Sequence, residues 1–430
     1  ELELVKKQMA VCALILLFIV TLSPVALAAG AEVNVEAGEA CDYGVDIPFT
    51  PSPRAARYTF EVFDGEGAQD SLMRAQVTVS GEGEQRVYLP LAVDPEGAHR
   101  YTLQVTAHPA SERVGLDTAA TVRTPFTTSP SCGCAAGTAG AFYAGAGTEG
   151  SPWRVTNQAQ LAHIHSAHLA GGHSFLQVRD IRLDGSWGGI GTDIKSFTGR
   201  YDGGYHTITF PNQTLSSGLF IYVVDSTITS LGIENAAISS SAARGALAAV
   251  CMGNTRITDC YALNSIVYGY AAGGLVGTAE KGSVLENCYV LGPRLNADWE
   301  TGGLIGRINS GGLDLSGCYA IPASGGSPRR GSFALAGNTS YPGTGGNIYN
   351  SYWCNSPISA GVGGSVNDGG GYGTPPTLHA PSKGLTLGDF FSLDNLNFDS
   401  GLWEIRTLTF NTASGSVSQP VPVLKGFYGD

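Results

Sequence analysis

Between about Val33 and Phe126 apolar and polar residues alternate in short runs. Tyr58-Thr59-Phe60-Glu61-Val62-Phe63, Ala75-Gln76-Val77-Thr78-Val79, Arg86-Val87-Tyr88-Leu89 and Tyr101-Thr102-Leu103-Gln104-Val105 are examples. Asp64-Gly65-Glu66-Gly67, Ser80-Gly81-Glu82-Gly83 and Asp94-Pro95-Glu96-Gly97 separate them, and these are turn residues. Period-two runs at this spacing predict antiparallel strands in a small β-sandwich over 31–128. A Gly/Ala/Cys-rich linker follows over 129–149. The period then changes: Leu161, Ile164 and Leu169 recur on one face, Thr156 or Asn157 can cap the start, and Gly171-Gly172 can stop it. A helix is expected over 157–170.

Beyond the helix the sequence repeats itself. Leu219, Leu247, Leu275 and Leu304 recur within glycine- and alanine-rich text such as Gly273-Gly274-Leu275-Val276-Gly277 and Gly302-Gly303-Leu304-Ile305-Gly306, at spacings of 28, 28 and 29. Asp259-Cys260-Tyr261, Asn287-Cys288-Tyr289 and Gly317-Cys318-Tyr319 form a second series, with Leu231 and Asn350-Ser351-Tyr352 as degenerate copies. A fixed period with several short β runs per copy marks a solenoid, in which stacked coils bury what one coil cannot. The Asp, Asn or Gly before each Cys tolerates left-handed backbone and predicts a corner on every coil. Leu, Cys and Tyr are expected to form buried columns, with the cysteines as a reduced interior ladder. The helix at 157–170 and the segment 384–430 are expected to cap the two ends of the stack, because open sheet edges need cover.

Composition narrows the class. Sixty of 430 residues are glycine, about twice the usual share of ~7 %, and charged residues are 14 % against a typical ~25 %. With 43 % hydrophobic residues the chain is folded, and glycine without a strict triplet period excludes collagen. A net charge of −12 argues against nucleic acid or an anionic membrane as the main partner. Lys6-Lys7, an apolar run from Met9 to Val20 and Ala26-Leu27-Ala28 have the order of a secretory signal peptide over 1–28. The run is short for a membrane span, so none is expected in the mature chain. The sequence opens on Glu1 rather than Met, consistent with a start further upstream. Eight of nine cysteines follow the signal, and Cys41 is a candidate disulfide partner for Cys132 or Cys134.

The Gly-Gly-Leu-Val-Gly and Gly-Gly-Leu-Ile-Gly coils with their Asn/Gly-Cys-Tyr partners resemble the GLUG-motif repeats of bacterial surface proteins. The lead-in Gly150-Ser151-Pro152-Trp153 and the exits Ser351-Tyr352-Trp353 and Trp403-Glu404-Ile405 agree, so the resemblance covers roughly 145–425. Gly245-Ala246-Leu247-Ala248-Ala249 departs from the pattern, and the copy at 330–350 is hard to align. The resemblance implies an all-β chain: a right-handed parallel β-helix over 150–430. It also implies a secreted or bacterial cell-surface location in adhesin-like proteins. Some relatives are attached to peptidases that cleave immunoglobulin A. The domain at 31–128 is weakly similar to immunoglobulin-like domains of Gram-positive pilins. No lysine occurs between Lys7 and Lys195, which removes their Lys–Asn cross-link. No catalytic residue set is implied for the repeat.

Candidate chemistry is sparse. His163, His165, His168 and His173 invite a metal, yet no His-Glu-x-x-His occurs, and the reading is of histidines on the helix surface, with His163 pointing away from the apolar stripe. Cys132-Gly133-Cys134 lacks the C-x-x-C frame of a zinc site. No metal or cofactor is assigned. The corner series Asp259, Asn287, Gly317 does not stack acids, and Asp180, Asp184, Asp202, Asp298 and Glu300 are read as solvated turn and strand residues rather than a glycosidase pair. Counting five residues back from the coil leucines gives Ala242, Tyr270, Trp299 and Arg330. In a stack Tyr270 and Trp299 become outer neighbours, with Tyr268 and Arg330 beside them. Aromatics set among polar groups bind sugar faces, so these four are the candidate ligand-binding residues; the alternative is that they pack loops onto the flank of the β-helix. The expected function is adhesin-like binding of extracellular glycans or host and matrix proteins. The alternatives are a polysaccharide-acting lyase or hydrolase, or a structural stalk.

Overall fold

In the computed structural model the described residues are 34–35, 39–41, 44–50, 55–65, 73–80, 86–89, 98–109, 120–135, 137–280, 282–309, 312–340, 345–366 and 374–429. The expected signal peptide at 1–28 and the side chain of Cys41 lie outside them. The chain divides into two compact units, residues 1–146 and 147–430.

The first unit is antiparallel throughout its described strands. One sheet centres on Gly44–Thr50, paired with Asn34–Val35, Glu39–Cys41 and Arg86–Leu89. The other runs in the order Met73–Ser80, Ala55–Asp64, Arg100–Pro109, Ala120–Thr127. Alternation along these strands sends Ile47, Phe49, Val87 and Leu89 from one sheet, and Tyr58, Phe60, Val62, Leu103 and Val105 from the other, into one shared core. Further along, Ala141 and Tyr143 pack on Cys132 and Cys134. The two sulfurs lie within 4.8 Å of each other, and burial together with the neighbouring thiol pushes Cys134 up to about 11.

The second unit is a parallel β-solenoid of about seven turns. Each regular coil runs through three faces. The first face holds Phe220–Val224, Ala248–Met252, Val276–Ala279 and Ile305–Ile308, and the third holds Ala237–Ser239, Ile266–Gly273 and Arg294–Gly302. The second face is bent, as in Arg256–Thr258 with Tyr261–Leu263 and Ser283–Glu286 with Tyr289–Leu291. At the bend Ser230, Asp259, Asn287, Gly317 and Asn350 all have φ between 43° and 63°, so the predicted left-handed corner recurs on coil after coil. The glycine pairs answer a different need. A Cβ on Gly306 would come within 2.7 Å of Ala272 C and Gly277 O, because third-face and first-face strands cross backbone to backbone at that corner.

Leu219, Leu247, Leu275 and Leu304 are fully buried, and Leu335 continues the column, since Leu304 N donates to Leu335 O at 2.8 Å. The copy at 330–350 is therefore Ala334-Leu335-Ala336-Gly337. Cys260, Cys288 and Cys318 are thiols with no solvent exposure, and Cys288 N donates to Cys318 Sγ at 3.4 Å.

The tyrosines depart from expectation. They follow the cysteines by one residue, and strand alternation turns them to the outer side. Tyr261, Tyr289 and Tyr319 stack at 5.1 and 5.3 Å with ring planes 11° and 2° apart. What buries them is the chain's own end. Of the segment 384–430, expected to close the end of the stack, Lys383–Leu385 adds one more parallel strand there, while Leu387 to Tyr428 lie along this flank. Trp403–Thr412 and Gly415–Leu424 form an antiparallel hairpin, and its Trp403, Phe410, Val421, Val423 and Leu424 share one cluster with Tyr261, Tyr289, Tyr319 and Tyr352. The expected helix, α1, is Gln158–Ala167; Asn157 caps it by accepting from Gln160 N at 3.0 Å. No helix among the described residues is long and apolar enough to cross a membrane.

Candidate functional site

Of the four candidate residues, Tyr270, Trp299 and Arg330 meet in a ledge on the coil surface, and a register slip builds it. Third-face strands Ile266–Gly273 and Arg294–Gly302 pair residue for residue from Ile266 and Arg294 to Gly269 and Ala297, then resume at Ala271 and Glu300. Asp298 and Trp299 together thus face Tyr270, a one-residue bulge of the kind that re-aims a side chain. The Tyr270 and Trp299 rings meet with centroids 5.6 Å apart at 47°. On the next coil Arg329 N and Arg330 N donate to Asp298 O and Trp299 O at 3.2 and 2.6 Å. That brings the guanidinium carbons of Arg330 and Arg329 to 4.3 and 5.5 Å from the indole centroid. The indole is therefore already in contact with cations, and a ligand would meet guanidinium N–H groups as well as ring. Tyr268 stands two residues back on the same strand and is 45 % exposed; it shares no ring contact with Tyr270 or Trp299 among the described residues.

Beneath the ledge lies an ion pair that no sequence pattern announced. Arg307 sits in a first-face column after Val250 and Thr278. Its Nε donates to Glu300 Oε1, and the two side chains are 5 % and 0 % exposed. Arg307 Nη1 also donates to Tyr270 Oη at 3.4 Å, and its Cζ stands 4.7 Å over the Tyr270 ring. Burial pulls the Arg307 pKa down, but bonding to Glu300 and Tyr270 outweighs it and the group stays cationic. Glu300, expected as a solvated acid, is instead the buried counter-ion that holds the base of the ledge.

Three of the remaining acids are engaged locally. Asp180 accepts from Thr207 N at 2.8 Å and lies 3.4 Å from His206 Nδ1. Asp184 accepts from Ser186 Oγ, Gln158 Nε2 and Ser186 N, which holds its carboxyl below the usual range. Asp202 accepts from Gly204 N at 2.9 Å in its own turn, and Asp298 is exposed.

Two of the histidines are not on the helix surface, and His163 does not point away from the apolar stripe as expected but into the buried face of the helix. His163 and His168 are buried, with ring centroids 5.0 Å apart, and His173 lies 5.5 Å from His168. Gly171 and Gly172, both left-handed, return the chain so that His173 comes back under the helix end, with Trp153 4.6 Å from His168. Burial first, then His163 and His173, lower the His168 pKa to about 4. Nitrogens of His163 and His168 lie within 4.8 Å of each other, so this pair supplies two ligands, half of a tetrahedral set. His165 faces elsewhere and accepts from Gly191 N at 3.1 Å.

The family model described as the GLUG motif matches residues 268–296, the coil that carries Tyr268, Tyr270, Leu275, Cys288 and Tyr289. The chain is thus a parallel β-helix protein with a GLUG motif. No curated protein matches it. A solved structure described as "IgA1 Protease" is similar at 15 % identity and a TM-score of 0.35, covering 76 % of this chain and 27 % of that one. The chain spans about a quarter of the length of that protein.

Proposed function

We propose that this is an extracellular, adhesin-like binding protein of a bacterial surface, in which an immunoglobulin-like spacer precedes a β-helix that presents the Tyr268, Tyr270, Trp299 and Arg330 ledge to extracellular glycans or matrix proteins. The observation that supports it is the aromatic pair formed across two coils, Tyr270 on Trp299 at 5.6 Å, with two guanidinium groups beside the indole. Ring surface plus fixed donors is the combination that holds a sugar by apolar contact and hydrogen bonds. The local engagement of Asp180, Asp184, Asp202 and Glu300 favours binding over glycoside cleavage. The neighbouring chain's name denotes a peptidase, and likeness of that degree brings neither a catalytic residue nor a substrate to this one.

The test is retention of the chain on polysaccharides, mucins and matrix proteins, with release of new sugar ends recorded alongside. Saturable retention without product, reduced at least tenfold in Tyr270→Ala/Trp299→Ala, supports the reading. Product formation, or retention indifferent to both substitutions, refutes it.

A further inference from the structure

A second feature repeats with the coils and lies away from the ledge. At the corner between the second and third faces, Asn235, Asn264 and Gly292 occupy successive left-handed positions, with φ of 58°, 56° and 64°. Their equivalence is fixed by register: Glu234 pairs with Leu263 and Leu263 with Leu291. Each backbone N–H also donates to the next coil, Asn235 N to Leu263 O, Asn264 N to Leu291 O and Gly292 N to Ile321 O. Stacked coils repeat at about 4.8 Å, so these corners form a short column.

What Asn264 does in this column is visible. Its Oδ1 accepts from Asn411 N at 2.8 Å and its Nδ2 donates to Thr409 O at 3.4 Å. One amide thus takes the N–H and C=O offered on one edge of an extended strand by residues i+2 and i. This is main-chain recognition: it requires an extended peptide and is blind to its side chains. At Gly292 the hairpin runs so close that a Cβ would lie 2.6 Å from Asn411 N, and glycine replaces asparagine there.

Asn235 carries the same amide on the same backbone geometry one coil earlier. Among the described residues no hydrogen bond from the hairpin reaches its side chain; it is exposed and lines a groove of about 430 Å³ with Arg182, Asn212, Phe210, Pro211 and Asn411. The groove floor at Phe210 is apolar and buried, Asn212 and Arg182 add donors along it, and Asn411 forms one wall. We propose that this groove docks an extended peptide strand of a partner protein, its backbone read by the Asn235 amide as Asn264 reads the chain's own strand. Strand-like peptides bound through main-chain hydrogen bonds gain affinity without strict sequence demands.

The probe is a fluorescein-labelled peptide copying Ile405–Thr412, the strand that Asn264 already holds, titrated into the full chain and followed by anisotropy. Saturable binding is expected, weakened about tenfold in Asn235→Gly. That substitution keeps the left-handed corner, as Gly292 does natively, and removes only the amide; Asn235→Asp, which loses the donor, should weaken binding as well. Trp299→Ala should leave the peptide affinity unchanged, which separates this groove from the ledge. Hydrogen exchange should slow over 209–212 and 234–237 on binding. Equal affinity in Asn235→Gly, absence of saturation, faster exchange over 403–412 that signals strand swapping, or displacement of the peptide by a neutral oligosaccharide each overturn the proposal.

Discussion

Trp403 is the residue whose removal best separates the coil stack from the strap on its flank. It is 1 % exposed, stacks on Phe398 at 4.6 Å and 19°, and lies 5.7 and 6.0 Å from Tyr289 and Tyr319. An aromatic side chain of this size buries 150–250 Å², or roughly 4–6 kcal/mol at about 25 cal/mol per Å². Residual burial in the unfolded chain lowers this to about 3–5 kcal/mol, the usual range for Trp→Ala in a core. The location of the loss follows from the architecture. A two-stranded hairpin is marginal by itself, so Trp403–Thr412 and Gly415–Leu424 stay ordered by docking on the tyrosines. The coils are held to one another by their own ladders and lumen columns. Trp403→Ala should therefore raise exchange at amides of 403–424 by two to three orders of magnitude, while lumen strands such as Ala248–Met252 and Val276–Ala279 keep their protection. A urea melt should show a new early transition. Uniform loss of protection over all coils, or an unchanged hairpin, would refute the division into stack and strap.

Removing the carboxylate in Glu300→Ala leaves the buried Arg307 guanidinium without its counter-ion and should cost about 3–5 kcal/mol in urea unfolding, whereas Glu300→Leu/Arg307→Leu should recover most of it. Gly306→Ala places a methyl where strands cross and should lower stability by about 1–3 kcal/mol, read as a fall in Tm. His168, lowered to about 4, is neutral in the folded chain at pH 7 while the unfolded chain takes up a proton below about 6.5, so stability should fall as pH drops. His168 alone accounts for a loss of about 2 kcal/mol between pH 7 and 5, burial of His163 and His173 adds in the same direction, and His168→Gln should make the fall of urea midpoint with pH shallower.

Much of the stack was legible because a solenoid writes its geometry into spacing. The left-handed corners at Asp259, Asn287 and Gly317, the buried leucines and the degenerate copies at Leu231 and Ser351 follow from sequence alone. So does the meeting of Tyr270 and Trp299, through their common distance from Leu275 and Leu304. The destination of residues 384–430 was not legible. A tyrosine on four successive coils, Tyr261, Tyr289, Tyr319 and Tyr352, announces a buried stripe, but not whether lumen or hairpin buries it. Arg307 was hidden for a related reason: its column reads Val250, Thr278, Arg307, and only contact with Glu300 explains the change of residue type. The histidines misled because Leu161 and Ile164 mark only part of the buried face of α1, which also takes in Gln160 and His163, and because His173 arrives from the returning chain.

The ledge sits where the repeat breaks step, and the break is visible in the numbers. Leu247 and Leu275 are 28 residues apart, Leu275 and Leu304 are 29, and the extra residue is the bulge at Asp298-Trp299. A solenoid that needed only to be long gains nothing from the insertion, which disrupts ladder bonds locally. The added residue turns Trp299 onto Tyr270, sets Glu300 inward against Arg307, and leaves the next coil to deliver Arg329 and Arg330 to the indole. Deleting Asp298 should restore a 28-residue coil and keep the stack folded, because the two preceding coils, Leu219 to Leu247 and Leu247 to Leu275, show that register to be stable. It should also pull Trp299 out of contact with Tyr270 and, on the proposed function, abolish retention on the polysaccharides, mucins or matrix proteins tested. A deletion variant that folds and still binds would place the binding surface elsewhere on the coil stack.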